Sequence, residues 1–183
     1  MDGTAEVKAI VDKTGFAESG FVAIENLKYY TEIRKICEGN SCRNYAATWA
    51  CPPAIGTLDE CRARINRYDR MLLFSKIYSL EDAFDFEGMM EGMRDFKQLV
   101  DCLQENIKNN LSEFMILSNE GCGRCATCTY PDAPCRFPQL LHHSLEGYGL
   151  IVSELAKEAG IRYNNGSNTV TYFGALLFSD SDD

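Results

Sequence analysis

Apolar residues recur along this chain with more than one period. Phe86, Met89 or Met90, Met93, Phe96, Val100, Leu103 and Ile107 repeat every three or four residues. That spacing lays one apolar stripe along a long helix, the best defined element of the sequence. Met71–Tyr78 and Val170–Phe178 are instead apolar runs of strand length, and Phe114–Leu117 is a shorter one that leads into a cysteine-rich loop. Such runs mark buried strands. Val7, Ile10 and Val11 predict a helix over about 5–13, and Phe21–Ile24 a short strand. Leu27, Tyr30, Ile33 and Ile36 or Cys37 fall at helical spacing. Thr57-Leu-Asp-Glu60 is a capping box that opens a helix through Cys61 to about Tyr68. Ser144 reads as the cap of a helix whose face collects Leu145, Tyr148, Val152, Leu155 and Ala159. Asn164-Asn165-Gly166-Ser167 turns the chain into its last strand.

Strand, helix, strand, cysteine loop, helix, strand predicts an α+β fold, a small mixed β-sheet covered by helices. The 71–114 segment reads as a right-handed β-α-β crossover, which makes its two strands parallel. A ferredoxin-like topology is the working expectation. No repeat and no linker divides the chain, so residues 1–178 read as a single metal-binding domain and 179–183 as an acidic tail.

Composition narrows the chemistry. The 183 residues hold 27 acidic against 18 basic side chains, a net charge of −9, and nine Cys. The acidic balance argues against a nucleic-acid groove, because phosphate binding needs a positive face. No apolar run approaches the roughly 18 residues of a membrane span. The first residues lack the charged and apolar regions of a secretory signal, which predicts a reducing, cytoplasmic setting. A chain of this size buries a core without covalent staples, and an odd number of thiols leaves a closed disulfide set one over. In that setting thiols serve as metal ligands or catalysts, and metal binding is the expectation.

The sharpest motif runs from Gly121 to Pro138 and contains Cys122, Cys125, Cys128 and Cys135. Three thiols, each two residues from the next, followed by a fourth, resemble the run that wraps an iron–sulfur cubane. Gly121 and Gly123 let the backbone turn closely enough for its N–H groups to face cluster sulfides. Pro131, Pro134 and Pro138 stiffen the return. Six residues separate Cys128 from Cys135, where bacterial ferredoxins have three. Zinc is the competing metal. Its structural sites usually pair two C-x-x-C units across a longer insert, whereas these thiols crowd one loop, although Cys135 can still complete a four-thiolate zinc site.

Cys37, Cys42 and Cys51-Pro52-Pro53, with Cys61 ten residues later, form a looser set that fits no zinc template. One reading is a second cluster on Cys37, Cys42 and Cys51, with Cys61 as fourth ligand or with no fourth thiolate. An open iron then binds substrate as a Lewis acid. The other reading makes Cys37 and Cys61 small buried hydrophobes on helices. Cys102, flanked by Val100 and Leu103 in the long helix, is read as core.

Tyr45, Trp49, Cys51-Pro-Pro-Ala-Ile-Gly56, Gly121-Cys-Gly-Arg-Cys-Ala-Thr-Cys128, Pro134-Cys-Arg-Phe-Pro138 and Ser144-Leu-Glu-Gly-Tyr-Gly149 together carry a resemblance. They resemble the prokaryotic "predicted metal-binding protein" family of unknown function, from about Cys37 to Phe178. The resemblance implies single-domain cytoplasmic proteins with iron–sulfur or other metal ligation. It carries a ligand role onto Cys122, Cys125, Cys128 and Cys135, and onto Cys37, Cys42 and Cys51.

Other residues weigh less. His142 and His143 are read as loop or packing residues ahead of a proton relay or a ligand role, since adjacent histidines do not easily face one metal. Arg136 sits beside a cysteine, where it either favours a reduced cluster or makes an ordinary salt bridge. Glu146 suits the first turn of its helix. Arg62, Arg64, Arg67 and Arg70 read as a solvated face that can also dock an acidic redox partner. Met89, Met90 and Met93 read as core or soft interface, not copper ligands. No Walker loop, dinucleotide fingerprint, Ser-His-Asp set or zincin helix occurs. The expected function is iron–sulfur binding, one or two 4Fe-4S clusters with an electron-transfer role and a redox partner protein. The alternatives are an enzyme with an open cluster iron, and a zinc-stabilised interaction module.

Overall fold

The computed structural model describes residues 3–119 and 121–179. All of the acidic tail except Ser179 lies outside the described residues. The elements follow in chain order as α1 (Gly3–Thr14), β1 (Glu18–Val22), α2 (Thr31–Glu38), α3 (Leu58–Ile65), β2 (Arg70–Ser79), α4 (Phe86–Ile107), β3 (Phe114–Ser118), β4 (His143–Ser144), α5 (Val152–Ala159) and β5 (Thr169–Phe178).

The two long apolar runs become the middle of a mixed sheet of five strands, ordered β1-β2-β5-β3-β4. β2 and β5 pair antiparallel from Arg70 opposite Phe178 to Ser79 opposite Thr169. β3 is also antiparallel to β5, so β2 and β3 run parallel with β5 between them. The β2–α4–β3 segment is therefore a split β-α-β unit. Met71 and Leu73 of β2 enter a core shared with Cys61, Ile65, Tyr148, Leu155, Phe173 and Leu177. Leu72 and Phe74 enter the opposite core with Val7, Val11, Phe96, Val100, Leu103 and Ile107. Both faces of the sheet are covered, which is why the strands read as unbroken apolar runs rather than as alternation.

Several sequence expectations shift. The first strand lies at 18–22 rather than 21–24, and Ile24–Asn26 is a 3-10 turn. Gly20 hides the strand from a propensity reading, yet it is what admits the strand here. A Cβ at this position would stand 2.0 Å from the Ala159 carbonyl oxygen at the end of α5. The long helix spans its predicted range, but its buried face begins at Gly92, and Phe86 is 69% exposed. Cys102, expected in the core, is exposed. At 100° per residue it lies on the far side of α4 from Val100.

The expected helix capped by Ser144 does not form as one piece. Ser144 lies in β4, and its Oγ accepts from Gly147 N (3.0 Å) to cap a 3-10 turn over Glu146–Tyr148. Gly149, at φ +74°, ends that turn in the left-handed region, and α5 starts at Val152. Leu145, Tyr148, Val152 and Leu155 are all buried, but from two elements. The Thr57 box forms as read: Thr57 Oγ1 accepts from Glu60 N, and Glu60 Oε2 accepts from Thr57 N (2.7 Å). Among the described residues, no helix is long and apolar enough to cross a membrane.

Candidate metal centre

The chain leaves β3 at Ser118 and enters the loop that holds the first thiol set. Gly121 and Gly123 take φ of +68° and +65°, which an L side chain rarely adopts. Cys122, Cys125, Cys128 and Cys135 are all half-buried and line one cleft of about 200 Å³. Asn44, Thr48 and Trp49 close its other side. The loop is held without using a thiol. Trp49 Nε1 donates to Ala133 O (3.1 Å), and its ring meets Tyr130 edge-on at 4.9 Å. Arg136 Nη1 donates to Thr127 O (2.8 Å), and Thr129 Oγ1 to Pro134 O (2.9 Å). Arg136 thus braces its own loop.

Two cations that sequence reasoning passed over sit at this loop. Arg124 Nη2 donates to Asp101 Oδ1 (2.8 Å) on α4 and to Leu140 O (3.3 Å). The bond to Asp101 pushes the Arg124 pKa further up, and Cys122 acts in the same direction. Lys97 Nζ donates to Asn119 Oδ1 (3.0 Å) and Gly121 O (2.7 Å). The Arg124 side chain bonds the Cys122 sulfur and the Thr48 side chain the Cys51 sulfur, and both residues line the thiol cleft.

The second loop follows α2. Asn40, Arg43 and Ala46 have φ between +51° and +61°, an unusual density of left-handed L residues. Cys37, Cys42 and Cys51 line a second cleft of about 260 Å³ with Tyr45, Pro52 and Glu146. Burial pushes the Cys37 thiol up; Cys42, Cys51 and Glu146 add to the rise, while Arg34 opposes it. Burial also pushes Cys51 up, and the Gly121 N–H bonded to its sulfur works the other way. That contact joins the two loops, and Asn44 lines both clefts.

Cys61 does not join this set. It is 0% exposed, packed in the core under α3, with its thiol 3.6 Å from Ile55 O and 3.9 Å from Arg64 Nη1. Arg64 is likewise no surface cation, because it donates to Tyr148 OH (2.8 Å) and to Ile55 O. Arg62 lies 5.6 Å from the Tyr29 ring centre, and Arg67 pairs with Glu113 at 3.8 Å. The histidines face neither cleft. His142 Nε2 is 2.7 Å from Gln104 Oε1, and His143 Nδ1 is 3.1 Å from Tyr148 OH. Met89, Met90 and Met93 are half-buried on α4. Arg124 was visible inside the Cys-Gly-Arg-Cys motif, whereas nothing in the sequence marks Asn44, Thr48 or Lys97.

Among the described residues, no three His, Cys, Asp or Glu side chains converge on the position of one metal ion. The thiols line clefts. Among solved structures, the chain is similar to epoxyqueuosine reductase from Streptococcus thermophilus, with 11% identity and a TM-score of 0.45. The match covers 95% of this chain and 45% of that one, so the chain spans less than half that protein's length. No curated protein matches the sequence. Residues 20–178 match the predicted metal-binding protein family DUF2284, and the chain belongs to that family.

Proposed function

We propose that the protein binds a 4Fe-4S cluster on Cys122, Cys125, Cys128 and Cys135 and serves in one-electron transfer. The observation that carries this reading is the single cleft lined by all four thiols. The donor set fits the group. Four thiolates would match the corners of a cubane, with Arg124 beside them to offset negative charge. When bound, such a cluster supplies a one-electron redox centre.

The chain's own residues tune that centre. Arg124 and Lys97 place positive charge beside the thiol loop of an acidic protein, which favours the more negative, reduced state. The half-buried thiols leave one side of the loop near solvent, where a redox partner protein can approach. The test is metal analysis of anaerobically prepared protein. We expect about four iron and four acid-labile sulfide at this site, a brown colour, and bleaching by dithionite. Cys125→Ser removes this cluster, and Cys102→Ser leaves it. Colourless protein with stoichiometric zinc and no sulfide, after anaerobic expression with iron supplied, overturns the reading in favour of a zinc-stabilised module.

A further inference from the structure

We propose that the cleft of Cys37, Cys42, Cys51 and Glu146 is a second cluster site, with three thiolate corners and a fourth corner held by the Glu146 carboxylate. The inference rests on the reading that the chain assembles iron–sulfur clusters, and it assigns a ligand that spacing alone did not offer. The fourth corner is then exchangeable, and its substrate class is a small σ-donor molecule such as cyanide or a thiol.

The placement of the thiols carries the first step. Cys122, Cys125, Cys128 and Cys135 line the other cleft, Cys61 is sealed in the core, and Cys102 is exposed on α4. Cys37, Cys42 and Cys51 together line the cleft in question. Three thiols gathered in one cleft are the soft donor set that iron–sulfur corners take.

The second step is the carboxylate. Glu146 lines the same cleft and acts electrostatically on Cys37. Its position is fixed from both sides. Ser144 Oγ accepts from Gly147 N (3.0 Å), which sets the 3-10 turn. Arg34 Nη1 donates to Gly147 O (2.5 Å), and Arg34 lies one helical turn before Cys37 on α2. The helix that carries Cys37 is therefore clamped to the turn that carries Glu146. The loop between Cys37 and Cys51 is also shaped for the purpose. Asn40, Arg43 and Ala46 hold left-handed backbone conformations that persist only where the surroundings enforce them, and such residues collect at ligand sites. An oxygen donor binds iron less firmly than thiolate does, so the carboxylate corner is the one that opens.

The experiment uses the whole chain, reconstituted anaerobically, with iron content and electron paramagnetic resonance of the dithionite-reduced protein as readouts. Potassium cyanide is the probe. Wild type should hold about eight iron, and Cys51→Ser about four, with the first cluster's signal kept as proof of folding. Cyanide should shift one signal of two. Glu146→Gln should change that signal before cyanide is added and tighten cyanide binding roughly tenfold. Glu146→Cys should close the corner and abolish the shift. If Cys51→Ser loses no iron, or if Glu146→Gln leaves both spectrum and cyanide affinity as in wild type, the second site is overturned. If the wild type takes up no iron or sulfide, it is the proposed function itself that fails, a result distinct from either.

Discussion

His142 and His143 are adjacent in sequence, yet they are held by different partners. Gln104 Nε2 donates to Gln139 O, so its Oε1 is left to accept from His142 Nε2. Asp101 stands 3.9 Å from the other ring nitrogen and favours the charged ring, but burial outweighs it and pulls the His142 pKa down to about 4. Burial likewise lowers His143 to about 4, with the Arg64 charge acting in the same direction. The sign follows directly. Each ring binds a proton more readily unfolded, near 6.5, than folded, near 4, so the unfolded state gains protons as pH falls across that window. Their contribution to stability is whole above about pH 6.5 and is lost toward about pH 4. At about pH 5 each histidine should cost on the order of 1–2 kcal/mol. Gln in place of His142 keeps an N–H for Gln104 and removes the titration. Urea midpoints measured between about pH 7.5 and 5 should therefore fall less for His142→Gln than for wild type. Equal slopes would mean that His142 takes up its proton over the same pH range folded as unfolded.

At the scale of elements, α3 shows how a local signal places a distant group. The Thr57–Glu60 box fixes where the helix starts, and the helix then carries Cys61 and Ile65 into the core and Arg64 onto the buried Tyr148 hydroxyl. Thr57→Ala should cost about 1 kcal/mol, read as a lower denaturation midpoint, with Thr57→Ser near wild type. A loss beyond about 3 kcal/mol would mean that the helix start also holds the Arg64–Tyr148 contact. Elements with one dominant local signal were legible in this way: the box, the long α4 stripe, and the continuous apolar runs of β2 and β5. Elements settled by a neighbour were not. Gly20 makes β1 possible only because the end of α5 presses on it, and the Leu145–Ala159 stripe conceals a break at Gly149. The stripe serves one core from two elements, so its periodicity survived the break that ended the first of them.

At the scale of the molecule, the first thiol set was readable because it lies within one loop, whereas the second depends on the fold. Cys61 is buried, as one of its two readings had it, while Cys102 is exposed where core was expected, since burial depends on which helix face meets the sheet. No spacing rule shows that Glu146 reaches the cleft of Cys37, or that Gly121 N–H meets the Cys51 sulfur. The same geometry separates two kinds of stability. Both cores on the sheet are built from α1, α3, α4, α5 and the long strands, and among the described residues Cys61 is the one cysteine in either core. The loops over 39–56 and 121–137, with Cys37 just before the first, carry the candidate ligand thiols and little regular structure. A metal bound there stabilises the native state by mass action without being needed to form the sheet. Metal-free protein should therefore keep the slow amide exchange of β2, β5 and α4 while both loops become open to proteolysis. Reconstitution with iron and sulfide should protect the loops and raise Tm by roughly 5–10 °C, the shift that about 3 kcal/mol produces in a chain of this length. If removing the metal instead erased protection in β2 and β5, the sheet itself would depend on the loops. The contact from Gly121 to Cys51 would then bear on the whole fold rather than on the site alone.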